Sequence, residues 1–270
     1  MVSELPTTAS EKAPRAARAN AAARPSGTVH AHRVMRVVQA LALLGKPAGP
    51  SEIAEVTGLD ATVVFRILQS GLTGGGERTL WDGMADDPCH PAGFFIRLPP
   101  GKYRLGPGAA QVGMEAMAQT PGPEVSRPVL EALARQQNGM ALLWKVSPYG
   151  TPQRTVADFA PGRYGWDSLG LSIGQSVELT STLRVGASGR AIASRLPPAR
   201  ISEILGQPVP VDAGPGAIRD SRQYQAAVEK ARQNGYAIGR EEIPEWDGIA
   251  SPVMWGRTVY GASSSSSPLP

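Results

Sequence analysis

Cysteine is nearly absent from this chain: Cys89 is the only one in 270 residues. No intramolecular disulfide can form, which is consistent with a reducing compartment. Long apolar runs are missing too. None approaches the roughly 18 residues that a spanning helix needs, and the N-terminal stretch lacks the apolar core of a signal peptide. The expectation is a soluble, cytoplasmic chain without membrane contact. Histidine is scarce: His30, His32 and His90 all lie in the N-terminal third, so no general base is in view for a nucleophilic Ser188. Three catalytic or ligand signatures also fail. Gly186-Ala187-Ser188-Gly189 is not the Gly-x-Ser-x-Gly nucleophile elbow. TGGGER, Thr73 to Arg78, lacks the Gly-Lys-Thr/Ser ending of a phosphate loop. Asp86, Asp87, Cys89 and His90 are near one another, but a zinc site normally needs a second Cys/His pair and none is present. The expectation is therefore no enzyme, no metal and no cofactor.

Gly (31) and Pro (25) are abundant, which favours short elements joined by turns. Hydrophobic residues reach 41%, enough for cores, and the length suits two domains. The net charge of +4 has a location. Residues 1–36 hold six basic residues against two acidic ones, so the remainder sums to zero and the pI of about 9.4 describes a basic N-terminal arm. Residues 1–29 carry almost no large apolar side chains and read as disordered. The arm's arginines are either solvated or free to touch phosphates and a minor groove.

Order begins near His32. Val34, Val37, Val38, Leu41 and Leu44 form a helical stripe stopped by Gly45-Lys46-Pro47. SEIAEVTGLDATVVFRIL, Ser51 to Leu68, then reads as two short helices joined by a tight turn. Ser51 is a candidate N-cap and DNA contact, Gly58 a left-handed C-terminal stop and Asp60 a cap for the second helix. Val64, Ile67 and Leu68 give that helix an inner face. Ala61, Thr62, Phe65, Arg66 and Gln69 lie opposite, a set able to meet bases and phosphates. The competing reading is an ordinary helical hairpin. Residues 70–93 read as a long loop. Phe94–Leu98 and Lys102–Leu105 flank Pro99-Pro100-Gly101 as a hairpin, so Arg97, Lys102 and Arg104 are positioned as a basic wing. Gly106 to Thr120 is Met-rich and helical from about Ala109, either a linker and dimer contact or a plain surface helix. Pro121-Gly122-Pro123 marks a boundary. Beyond it, a helix around Arg127–Gln137, strands over Met140–Val146 and Gln153–Phe159, a loop entering a helix over Val185–Leu196, a helix over Tyr224–Gln233 and further strands to Ser263 suggest an α/β sensor-like domain around a mostly antiparallel sheet.

Four stretches carry a family resemblance. They are RVMRVVQALALLGKPAGPSEIAEVTGLDATVVFRIL, GKYRLGPGAAQVG, LTSTLRVGASGRAIAS and AVEKARQNGYAIGREEIPEWDGIASPV. In order and spacing the chain resembles the IclR family of bacterial transcription regulators. The resemblance implies an α+β protein: an N-terminal winged helix-turn-helix plus a C-terminal GAF-like α/β effector-binding domain. The expected limits are 1–29 for the arm, 30–106 for the DNA-binding domain, 107–123 for a linker helix and 124–270 for the effector domain. It also implies a homodimer or dimer of dimers on double-stranded operator DNA, and a small-molecule effector of carboxylate type. Family pockets use backbone amides before the Gly-Lys-Ala helix, here Ala187 and Ser188, with Gly189-Arg190-Ala191 at the signature. They also use the double-glutamate loop, here Glu241 and Glu242, then Gly248, and hydroxyls on the last strand, here Ser264 and Ser266. Ser188 as a simple cap, and Ser263–Ser267 as a low-complexity tail, are the competing readings. The expected function is a ligand-responsive DNA-binding transcriptional regulator, a repressor rather than an activator. The alternative, motivated by the long 70–93 loop and a sparsely polar recognition face, is a small-molecule-binding module with degenerate DNA-binding function.

Overall fold

The computed structural model describes residues 26–72, 93–120, 122–147, 150–163 and 180–268. The basic arm up to residue 25, the run Thr73–Arg78, the cluster Asp86–His90 and the boundary residue Pro121 lie outside the described residues.

The first hydrophobic cluster is built by three helices and a hairpin: α1 (Ser26–Leu44), α2 (Pro50–Thr57), α3 (Ala61–Ser70), β1 (Phe95–Leu98) and β2 (Lys102–Leu105). Helix α1 opens six residues before His32, inside the segment expected to be disordered. Once Val37 and Leu41 are buried the helix is nucleated, and each residue added outward gains a backbone bond at little further cost. The start of α2 also differs from expectation. Gly49 is the N-cap and Pro50 takes the first helical position, where its missing N–H costs nothing, so Ser51 is not a cap. The turn between α2 and α3 follows the sequence reading. Gly58 adopts φ 65°, a left-handed conformation that a Cβ would strain, and its N–H bonds Ala54 O at 2.7 Å. Asp60 caps α3 by accepting from Thr62 N at 2.7 Å. Val37, Ile53, Val64 and Leu68 are fully buried and pack with Phe95 and Tyr103 of the hairpin.

Helix α4 (Pro107–Ala118) buries none of its residues. Helix α5 (Pro123–Gln137) leads into a six-stranded sheet of β3 (Met140–Ser147), β4 (Gln153–Ala160), β5 (Thr180–Thr182), β6 (Ala237–Ile243), β7 (Trp246–Trp255) and β8 (Thr258–Pro268). The spatial order is β5-β4-β3-β8-β7-β6, and every pairing within it is antiparallel. Alternation along β3 divides the faces. Ala141 joins Leu130 and Ala134 of α5 on one side. Met140, Leu142 and Trp144 meet α6 (Ala187–Ala193), α7 (Pro198–Leu205) and α8 (Ser221–Asn234) on the other, through Ile192, Ile204, Tyr224 and Val228. The chain is thus a mixed α/β protein with an antiparallel sheet covered on both faces.

The serine run is no tail. Ser263, Ser264, Ser265 and Ser266 pair with β3 on one side and β7 on the other. A central strand is held by its backbone ladder, which five serines satisfy as well as five valines, so apolarity was the wrong cue.

Replacing Ile192, which is fully buried, by alanine should cost about 2–5 kcal/mol. Val129→Ala, at a 63% exposed position of α5, should stay within about 0.5 kcal/mol. Urea unfolding of the two variants checks the contrast.

Candidate functional site

Two places combine exposed or cavity-facing polar groups with a rigid frame. The first is the outer face of α3. Its inner face is pinned by Val64, Ile67 and Leu68, which leaves Thr62, Phe65 and Arg66 exposed on one side. Phe65 is 43% exposed, a large ring that contributes nothing to the core. Ala61 is half-buried at the helix start and Ser51 is exposed on the first turn of α2. Gln69 is placed differently from expectation. Its amide donates to the hydroxyl of buried Tyr103 at 2.9 Å, so it ties α3 to β2 instead of standing free. On the hairpin Arg97, Lys102 and Arg104 are all exposed. Ala48 locks the hairpin to the α1–α2 connection through Tyr103, with N–O distances of 2.9 and 2.8 Å. The Arg36 guanidinium donates to the Thr57 carbonyl and holds the end of α2 against α1.

The second place is a cavity of about 80 Å³ between the sheet and the start of α6. Strands β3 and β8 supply its floor through Leu142, Trp144, Ser264 and Ser266. Register puts Leu142 opposite Ser264, and Ser266 opposite both Met140 and Gly248. Of the expected effector residues, Ala187, Ser188, Gly248, Ser264 and Ser266 all line this cavity. Glu241 does not, and its neighbour Glu242 does. The cause is a bulge. Arg240 pairs with Asp247 and Ile243 with Trp246, so Glu241 and Glu242 have no cross-strand partners. Glu241 takes φ 49°, its N–H bonds Asp247 Oδ1 at 2.9 Å, and Glu242 is turned inward.

Glu242 and Arg190 are each only 4% exposed and form an ion pair. The carboxylate accepts from Arg190 Nη1 at 2.7 Å and from Gly186 N at 2.8 Å, and Arg190 Nη2 donates to Ile238 O at 2.7 Å. This clamps α6 on β6. The approach requires Gly239 on β6, because a Cβ there would lie 2.9 Å from Glu242 Oε1 and 3.1 Å from Ala187 N. Every residue of α6 is buried.

The sequence reading passed over Arg154 and Trp144, and it named Arg190 and Glu242 without foreseeing that they pair. Arg154, on β4, is buried against the cavity with its guanidinium 4.8 Å from the Trp144 ring centroid and one terminal nitrogen on Thr182 O. Burial pulls its pKa down to about 10, so it stays a cation at neutral pH. Trp144 Nε1 donates to Ser264 Oγ at 3.0 Å. A signal for Arg154 did exist: it is a charged residue two positions before Val156, on the strand face that alternation assigns to the interior.

Removing one partner of the buried pair leaves the other charge without compensation. Glu242→Ala should cost about 3–5 kcal/mol, and Arg190→Met with Glu242→Leu should recover most of it. Chemical denaturation of the single and double variants measures both.

No family model matches the chain. The HTH-type transcriptional regulator KipR of Bacillus subtilis (strain 168) is 25% identical over 225 residues, which span 81% of this chain and 79% of that protein. Among solved structures, an IclR homolog from Microbacterium hydrocarbonoxydans complexed with 4-hydroxybenzoate is 19% identical with a TM-score of 0.48, covering 89% of each chain. The Thermotoga maritima IclR is 15% identical with a TM-score of 0.46, covering 89% of this chain and 88% of its own. Among the described residues no helix is long and apolar enough to cross a membrane. The proteins named here, to which this chain is similar over most of its length, are an HTH-type transcriptional regulator and two IclR proteins.

Proposed function

We propose that the chain is a ligand-responsive, DNA-binding transcriptional regulator of the IclR type. The observation that carries this reading is the co-occurrence of an exposed helix face beside a basic hairpin with a mainly apolar cavity, lined also by Ser188, Ser264 and Arg154, in the same chain. Helices α2 and α3 with β1 and β2 act as a winged helix-turn-helix. Thr62, Phe65 and Arg66 enter the major groove, while Ser51, Arg97 and Lys102 meet phosphates. Ala61 allows close approach of the helix N-terminus. Gln69 acts by holding the helix angle, through Tyr103, and not by reading a base.

Residues 30–106 are the DNA-binding domain, 107–123 a linker helix and 124–270 a GAF-like effector domain. The cavity at Ala187, Ser188, Gly248, Ser264 and Ser266 takes a small acidic metabolite that releases the operator, which makes the protein a repressor. Helix α4 exposes Val112 and Met114, and they form the contact between two copies in a homodimer.

The test is a mobility shift on the protein's own upstream intergenic DNA at two salt concentrations with competitor. A specific shift that weakens as salt rises is expected, because phosphate contacts release counterions. Arg66→Ala should cost about 1–3 kcal/mol and relax specificity at one base pair. Unchanged operator binding by that variant would reassign the recognition face. No shift at low salt by folded protein would favour the reading as a small-molecule-binding module whose DNA-binding function is lost.

A further inference from the structure

Three guanidinium groups are buried on the cavity side of the sheet, those of Arg154, Arg184 and Arg190. Their surroundings differ. Arg190 is neutralised by Glu242. Arg184 also has no ion pair among the described residues and a buried Nε without a partner, but it does not line the cavity and gives its two terminal nitrogens to Ile218 O at 2.9 Å and Arg219 O at 2.8 Å. Arg154 lines the cavity, forms no ion pair with any carboxylate among the described residues, and has a buried Nε without a hydrogen-bond partner. The other buried acid nearby in sequence is not available to it. The register shift in the β3–β4 pairing turns Asp158 to the α5 face, where it binds Ser126 and Arg127.

A buried cation without an ion-pair partner is costly to keep, and this one lines a cavity of about 80 Å³. Glu242 and Asp247 also line the cavity, from β6 and β7, but Glu242 is already compensated by Arg190. Met140, Leu142 and Ile243 are apolar. The lining therefore offers one cation without an ion-pair partner, Arg154, and one carboxylate, Asp247, that disfavours a second negative charge.

We infer that Arg154 is the charge-selecting residue of this cavity, pairing with the carboxylate of a small organic monoanion whose apolar body faces Met140 and Leu142. This rests on the reading of the cavity as the effector site. Trp144 positions the guanidinium by stacking on it, and is itself oriented by its bond to Ser264. Dicarboxylates are disfavoured, since their second charge meets Asp247.

The experiment is thermal unfolding of the full-length protein titrated with butyrate and benzoate, with butyramide and benzamide as neutral isosteres, with succinate, and with inorganic phosphate. A ligand that binds only the folded state raises Tm by mass action. The expected result is stabilisation by at least one monocarboxylate, none by its amide, and little by succinate or phosphate. Arg154→Met should weaken that monocarboxylate roughly tenfold or more, while its ligand-free Tm stays at or above that of the unaltered protein. Arg154→Lys should retain part of the binding. Four results overturn the inference: acid and amide acting alike, phosphate matching the acids, Arg154→Met binding the acid normally, or no probe shifting the unaltered protein. The acid–amide comparison needs no variant, so misfolding of Arg154→Met does not shelter the idea. Operator binding is scored separately, so a failure here leaves the regulator reading standing, and loss of operator binding touches that reading alone.

Discussion

The ion pair between Arg190 and Glu242 fixes the geometry on which the cavity depends. Two charges removed from water are expensive, and mutual attraction alone seldom offsets the desolvation. Here the remaining valences are filled as well: Glu242 accepts from the Gly186 N–H and Arg190 donates to the Ile238 carbonyl. The result is positional. Helix α6 cannot slide along β6 without breaking three charge-assisted bonds at once. The start of α6 is consequently held against β6, so that Ala187 and Ser188 line one cavity with Ser264 and Ser266, and Gly239 leaves room for the Ala187 amide.

The N-terminal elements solve a related problem with neutral groups. A recognition helix is useful only at a defined angle to the hairpin beside it. That angle is set by the apolar inner face of α3, by Gln69 on Tyr103, and by Tyr103 in turn bonded through its backbone to Ala48. Tyr103 serves three elements at once: it is buried between α1 and α3, it extends the hairpin into a bridge, and its hydroxyl receives the α3 amide. The charged residues Arg66, Arg97 and Lys102 carry no such structural duty and lie in solvent.

How much of this was legible in the sequence depended on how local each determinant is. The α2–turn–α3 unit was readable because Gly58, Asp60 and the spacing Val64, Ile67, Leu68 all act within a few residues. Ser51 was misjudged as a cap only because Pro50 competes for the helix start. Gln69 was misjudged because its partner lies 34 residues away. The serine strand was invisible to hydropathy, since its stability is a property of the ladders on either side. Glu241 and Glu242 are adjacent and chemically alike, and nothing in their order says which turns inward. That choice is made by the bulge, through the positive φ of Glu241 and its bond to Asp247. Arg154 was visible as a charge at an interior strand position, but its significance arises only from the missing counter-ion, which is a three-dimensional fact.

Under the proposed function, coupling between the cavity and the exposed face of α3 has to be a differential binding energy, because a ligand that binds two conformations equally shifts neither. The route by which occupancy acts on the fold begins at Arg154. Among the described residues its hydrogen bond goes to Thr182 O on β5. Strand β5 pairs with β4 and stands at the edge of the described sheet. It continues through Leu183, whose carbonyl accepts from Tyr224 at 2.6 Å, into the loop that starts α6. A carboxylate that draws the guanidinium inward competes with Thr182 for it. The strand edge leading into α6 would feel that competition, whereas the clamp between Arg190 and Glu242 at the other side of α6 would not. Under the proposed function, the element that responds to the effector is therefore β5 and its connection to α6, with the clamped helix as the fixed point against which it moves.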